Sequence, residues 1–84
     1  MKTIKTYNGW TNFQTWKTNL EFWDGSNIAE NSNFDIYELS QNLKELTEEY
    51  IYETTNANSF AQSCAVAFLS DVNWVEIAEH LQEN

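Results

Sequence analysis

Asn8-Gly9-Trp10-Thr11-Asn12-Phe13-Gln14-Thr15-Trp16 is the stretch on which the reading of this 84-residue chain turns. Gly9 tolerates backbone dihedrals that residues with a β-carbon avoid, so the chain can turn sharply there. Thr11 followed three places later by Gln14 has the spacing of a capping box, in which hydroxyl and side-chain amide satisfy each other's backbone N–H. From that start Phe13, Trp16, Leu20 and Trp23 recur at helical spacing and predict one apolar, core-facing stripe. Trp10, just before the cap, is placed to fold back over the first turn. The spacing predicts a helix from about Asn12 to Trp23, stopped at Asp24-Gly25 with glycine just past its end.

Upstream, residues 1 to 8 alternate lysine and threonine with Ile4 and Tyr7 and read as an extended arm, since a lone strand lacks a partner. Downstream, residues 24 to 33 form a polar loop anchored by Ile28. A second helix is expected from Ser32 or Asn33, with Ser32 and Asp35 as its capping signal. Ile36, Leu39, Leu43, Leu46 and Tyr50 then step by three and four, giving a coiled-coil-like seam. Tyr50-Ile51-Tyr52-Glu53-Thr54-Thr55 is β-branched and aromatic, and predicts a change to extended chain.

Ser59-Phe60-Ala61-Gln62 has full capping-box spacing and opens a helix that is apolar nearly all round to Leu69. That pattern predicts a central helix, buried on most sides. Asn73 and Glu76 repeat the cap spacing for a last helix, with Trp74, Ile77, Ala78 and Leu81 buried and Glu76, Glu79 and Glu83 wet. With no proline and two glycines, the pattern predicts an all-α, compact four-helix single domain over residues 1–84. Residues 1–10 form its arm and turn, and 11–84 its helical core.

A chain of this length buries only roughly 60–65% of its unfolded surface, so its thirteen aromatic residues carry an unusual share of the stability. Cys64, the lone cysteine, lies among alanines and reads as a small buried hydrophobe of a reducing compartment. No apolar h-region follows Met1, and no apolar run approaches a membrane span, which points to a cytoplasmic protein without a signal peptide.

Charge is the informative part. Thirteen acids against four lysines, with no arginine, give −9. Residues 1–20 hold Lys2, Lys5 and Lys17 and no acid, whereas residues 21–84 hold every acid and only Lys44, a segment charge of −12. Such a field repels nucleic acid and anionic membranes and steers the chain toward basic partners.

Chemistry finds little footing. His80 is the one histidine, with no nucleophile beside it; Glu76 and His80 share a helical face but make only two ligands of a metal site. His80 reads as a solvated residue near a helix C-terminus. The chain is read as no enzyme, with no cofactor and no metal. Lys2, Lys5, Tyr7, Trp10, Phe13, Trp16 and Lys17 interleave cations with aromatics as a stacking platform does, but the nearby negative field opposes direct nucleic-acid binding.

The acids of the second helix are the better candidate. Asp35, Glu38, Glu45 and Glu49 keep roughly to one face, flanked by Glu48 and Glu53, with Tyr50 and Tyr52 as anchoring neighbours. This comb presents spaced negative charge, crudely like a nucleic-acid strand.

Two separated stretches also resemble a known family. Gly9-Trp10-Thr11-Asn12-x-x-Thr15-Trp16 and Val72-Asn73-Trp74-x-x-Ile77-Ala78-Glu79-His80-Leu81, about a fifth of the chain, are similar to small proteins of bacteriophages, plasmids and other mobile elements. Family members commonly carry an acid where this chain has Gln14 and a basic residue where it has Val75. The resemblance implies a genomic setting rather than an activity.

By analogy with other small acidic phage proteins, the expected function is inhibition of a host defence nuclease in the host cytoplasm. The protein would be an anti-CRISPR or antirestriction inhibitor that binds the nuclease's basic nucleic-acid channel. The alternative is a non-enzymatic helical interaction module, able to form a homodimer, whose charge serves only solubility. A contiguous carboxylate surface facing away from the core favours the first reading, and an exposed apolar patch the second.

Overall fold

Each of the four α-helices in the computed structural model, which describes residues 7–30 and 33–83, begins at a polar side-chain cap. Asn12 caps α1 (Phe13–Thr18), Asp35 caps α2 (Ile36–Thr54), Ser59 caps α3 (Phe60–Leu69) and Asn73 precedes α4 (Trp74–Glu83). Each accepts a backbone N–H three residues on, satisfying a donor the helix itself cannot reach. The all-α class and the four helices are those the sequence predicts, and among the described residues there is no strand.

Two caps fall elsewhere than expected. α1 is capped by Asn12, not Thr11, and the Thr11 amide, expected to donate to Gln14, donates to Glu76 instead. α2 starts from a complete box at Asp35: its carboxylate accepts the Glu38 amide at 2.8 Å, while Glu38 accepts the Asp35 amide at 3.1 Å. Of the expected start, Asn33 precedes the helix and Ser32 lies outside the described residues. At α3 the Gln62 side chain accepts from Asn58 rather than from Ser59, so that box closes one residue early.

Ahead of α1, Tyr7 and Trp10 exchange backbone hydrogen bonds at 3.0 and 2.7 Å around Asn8-Gly9. Both central residues have positive φ, 47° and 86°, the mark of a type I′ turn, for which Asn-Gly is the favoured pair. Residues 1–6 of the expected arm, with Lys2, Ile4 and Lys5, lie outside the described residues. After Thr18 the helix widens into a π turn, Asn19–Trp23, closed by the Asp24 amide on Asn19 O at 2.7 Å. Helical chain thus ends at Trp23 as expected, with Gly25 at φ 81° just beyond.

The core lies between α2 and α4. Leu39 and Leu43 are wholly buried against Ile77, Ala78, Leu81 and Trp74, with Leu69 and Val72 closing one end. Trp10, Trp23, Ile28, Ile36, Ile51 and Phe68 pack round it, Ile28 as the expected loop anchor.

Four expectations about burial are corrected. First, α3 is peripheral rather than central: only Leu69 of its ten residues is buried. Its alanines, serine and cysteine offer little area per residue, so the larger stripes of α2 and α4 take the core. Cys64 is accordingly exposed, not buried. Second, the α2 seam bends away from Leu46 and Tyr50, which are exposed, onto Ser40, Thr47 and Ile51. Third, Glu76 is not on a wet face but 7% exposed. Fourth, α1 buries Thr15 and Thr18 and the π turn Asn19, while Phe13 and Leu20 are exposed and Trp16 is half-buried among the rings of Tyr7 and Phe13.

The extended chain expected from Tyr50 to Thr55 is absent too: helix continues through Thr54. The hydroxyls of Thr54 and Thr55 donate to the carbonyls of Tyr50 and Ile51, at 2.8 and 2.6 Å. That back-bonding accommodates β-branched residues at the end of a helix.

Candidate functional site

The capped start of α2 fixes where its acids point. At 100° per residue, Glu38, Glu45, Glu49 and Glu53 fall within an arc of about 80° that does not overlap that of the buried Leu39 and Leu43. All four are exposed, as is Asp35 at the cap. The row runs about 22 Å at 1.5 Å per residue. One DNA strand of that length carries six or seven phosphates at about 3.4 Å each, so the comb is a diluted copy of its charge. Among the described residues the ion pair is Lys17–Glu21 at 2.7 Å, so no cation there neutralises the row. Lys44 projects from another side of the helix.

The remaining candidates divide. Glu48 is half-buried beside the row. Tyr52 is exposed on the same flank and lines a hollow of about 380 Å³ with Asn58, Gln62 and Val66. Tyr50 lies off the row, its ring 5.4 Å from that of Phe22 in the π turn. The structure therefore groups Asp35, Glu38, Glu45, Glu49 and Glu53, sets Glu48 and Tyr52 alongside, and separates Tyr50. Asp35 and Glu38 have a second use, since their carboxylates close the cap of α2.

The two stretches that carry the family resemblance meet one another. The Thr11 amide donates to Glu76 Oε1 at 3.0 Å, the Asn12 side chain donates to Asp71 O at 2.7 Å, and the Asn73 amide donates to Thr15 Oγ1 at 2.9 Å. The Thr15 hydroxyl in turn donates to Asn12 Oδ1 at 2.6 Å. Trp10 packs on His80 with ring centroids 5.0 Å apart, so His80 is half-buried rather than solvated. Their polar side chains are spent on docking α1 to the start of α4. Among the described residues no three His, Cys, Asp or Glu are grouped to hold a metal.

No protein family, no curated protein and no solved structure matches this chain. Function has to be read from its surfaces.

A second surface went unread in the sequence. Phe13, Phe22, Ile51, Cys64, Ala65 and Phe68 line an apolar groove of about 380 Å³ between α1, the π turn, the end of α2 and α3, with Lys17 and Glu21 at its edge. Phe60, one turn before Cys64, is 85% exposed. The signal was present: Thr54 to Ser70 is seventeen residues without a charge, in a chain of net −9. Such a run predicts burial, but the structure places its helix on an outer face. No helix among the described residues is long and apolar enough to cross a membrane, so that run is no span.

Proposed function

We propose that the protein is a non-enzymatic inhibitor of a host defence nuclease, of the anti-CRISPR or antirestriction kind. It lays the acidic face of α2 in the basic channel that otherwise holds nucleic acid, inside the host cell. The observation that carries this reading is the row Glu38, Glu45, Glu49 and Glu53 on the solvent side of the longest helix, without a cation against it among the described residues. RNA-guided nucleases hold their heteroduplex in a positively charged channel and read it through shape and backbone. A rigid helix with spaced carboxylates meets such a channel on the same terms. The resemblance to proteins of mobile elements supplies the setting.

The test is a DNA-cleavage assay on a panel of RNA-guided and restriction nucleases, with the protein added before substrate. Inhibition relieved by excess DNA or by raised salt supports the reading; cleavage unchanged across the panel ends it. The exposed apolar face of α3 favours the second reading, an interaction module, and does so independently of the acids.

A further inference from the structure

A helix with the composition of α3 does not ordinarily face water. Eight of its ten residues, Phe60, Ala61, Cys64, Ala65, Val66, Ala67, Phe68 and Leu69, are apolar, yet only Leu69 is buried. Phe60, Ser63, Cys64 and Ala67 form its outermost ridge, and the groove of Phe13, Phe22, Ile51 and Phe68 runs beside them. Knob and hole therefore lie on one face, a turn of helix apart. That is the requirement for a self-complementary contact, in which each copy gives and receives the same residue.

Charge selects the occupant. Two copies at −9 repel, and they can meet closely only where neither presents a carboxylate. The charge-free run from Thr54 to Ser70 is the longest such stretch of the chain. The one carboxylate at the groove's edge, Glu21, is paired with Lys17 at 2.7 Å, so the face offers a basic partner little, and such a partner's home is α2.

We infer that α3 is a homodimer interface, in which two α3 helices cross antiparallel about a two-fold axis and each Phe60 enters the other copy's groove. Setting Phe60 against the partner's Phe68 centres the axis on Cys64. Ser63, Cys64 and Ala67 are small, so the two backbones can approach at the short end of the 8–10 Å helix-packing range. A standard interface takes about 800 Å² from each partner, roughly a seventh of the 5706 Å² this chain exposes. The dimer carries two copies of the acidic α2 row, one on each subunit.

Sedimentation of the full chain across a hundredfold concentration range, roughly bracketing micromolar, tests this. The expected mass rises to about twice 9.9 kDa, and salt promotes the rise because it screens the repulsion between copies. Phe60→Asp and, separately, Ala67→Glu are expected to stay at 9.9 kDa with unchanged far-ultraviolet circular dichroism, since both positions are exposed. A short bis-maleimide is expected to join two chains through Cys64. A wild-type monomer throughout, growth beyond a dimer, dimers that survive both substitutions, or dimers that do not cross-link at Cys64 would each overturn the inference. A monomer would leave the groove to a different apolar protein. The acidic face predicts the opposite salt response, so the two readings fail separately.

Discussion

Glu76 Oε1 accepts the backbone amide of Thr11 at 3.0 Å, across 65 positions of sequence. The bond joins the first helix's entry to the first turn of the last helix, and Thr15 and Asn12 reinforce it from either side. A carboxylate in a helix's first turn also suits the positive end of its dipole. Glu76→Ala should therefore destabilise the fold by about 1–3 kcal/mol, the usual cost of stranding a part-buried donor. Glu76→Gln, which keeps an oxygen in place, should cost less. Urea unfolding followed by tryptophan fluorescence measures both, and equal, negligible losses would show that the link is idle.

Thr15 has the same kind of role from a fully buried position, accepting from Asn73 and donating to Asn12. Thr15→Val keeps the shape and removes both bonds, at about 1–3 kcal/mol. Leu20, on the apolar stripe of the same helical stretch, is 47% exposed, and Leu20→Ala should cost less than about 1 kcal/mol. The order of the two losses is the measurement. Were the leucine the costlier, α1 would face the other way.

α2 offers a parallel contrast. Leu43 is wholly buried and Leu46 is 42% exposed, although both stand on one seam at sequence level. Leu43→Ala should cost about 2–5 kcal/mol as a large-to-small core change. Leu46→Ala should lie within about 1 kcal/mol of wild type. Matched denaturation midpoints would place the seam wrongly.

These contrasts show how far the sequence could be read. Helix existence was legible because it depends on local signals, such as Ser59 with Gln62, Asn73 with Glu76 and the stop at Gly25, although the α2 signal read at Ser32 and Asp35 is in fact the box of Asp35 with Glu38. The α4 stripe was legible because Trp74, Ile77, Ala78 and Leu81 leave only one face to bury. Orientation was not legible where polar residues do the burying. Thr15 and Glu76 go inside because each meets a specific partner 58 or 65 residues away, which no local period encodes. α3 misled for a different reason: an apolar run shows that a helix seeks cover, not which surface supplies it. The acids of α2 were legible as a face because exposure follows from the position of Leu39 and Leu43.

Free DNA or RNA should not bind this chain at physiological salt. The thirteen acids outweigh the lysines, and Lys17, the platform's described cation, is paired with Glu21 at 2.7 Å. A mobility-shift titration checks this. A salt-sensitive shift that disappears when Lys2, Lys5 and Lys17 become Gln would restore the aromatic segment as a binding platform.

The acidic face is tested by changing charge without changing the helix. Glu38, Glu45, Glu48 and Glu49 replaced together by Gln should leave thermal unfolding close to wild type. Three are exposed, and a glutamine at position 38 can still complete the box with Asp35, because amide and carboxylate serve equally there. Removing four neighbouring negative charges also relieves repulsion between residues three and four apart. Function should respond differently. If the row occupies a basic channel, the variant should associate more slowly and inhibit cleavage less, because complementary charge sets on-rate and specificity. Raising salt should weaken the wild type toward the variant, since the Debye length falls from about 8 Å at physiological ionic strength to about 3 Å at 1 M. Cleavage assays with DNA competition, run on both proteins across a salt series, carry the comparison. Equal inhibition by both at every salt would remove charge mimicry and leave the apolar face of α3 as the surface that acts.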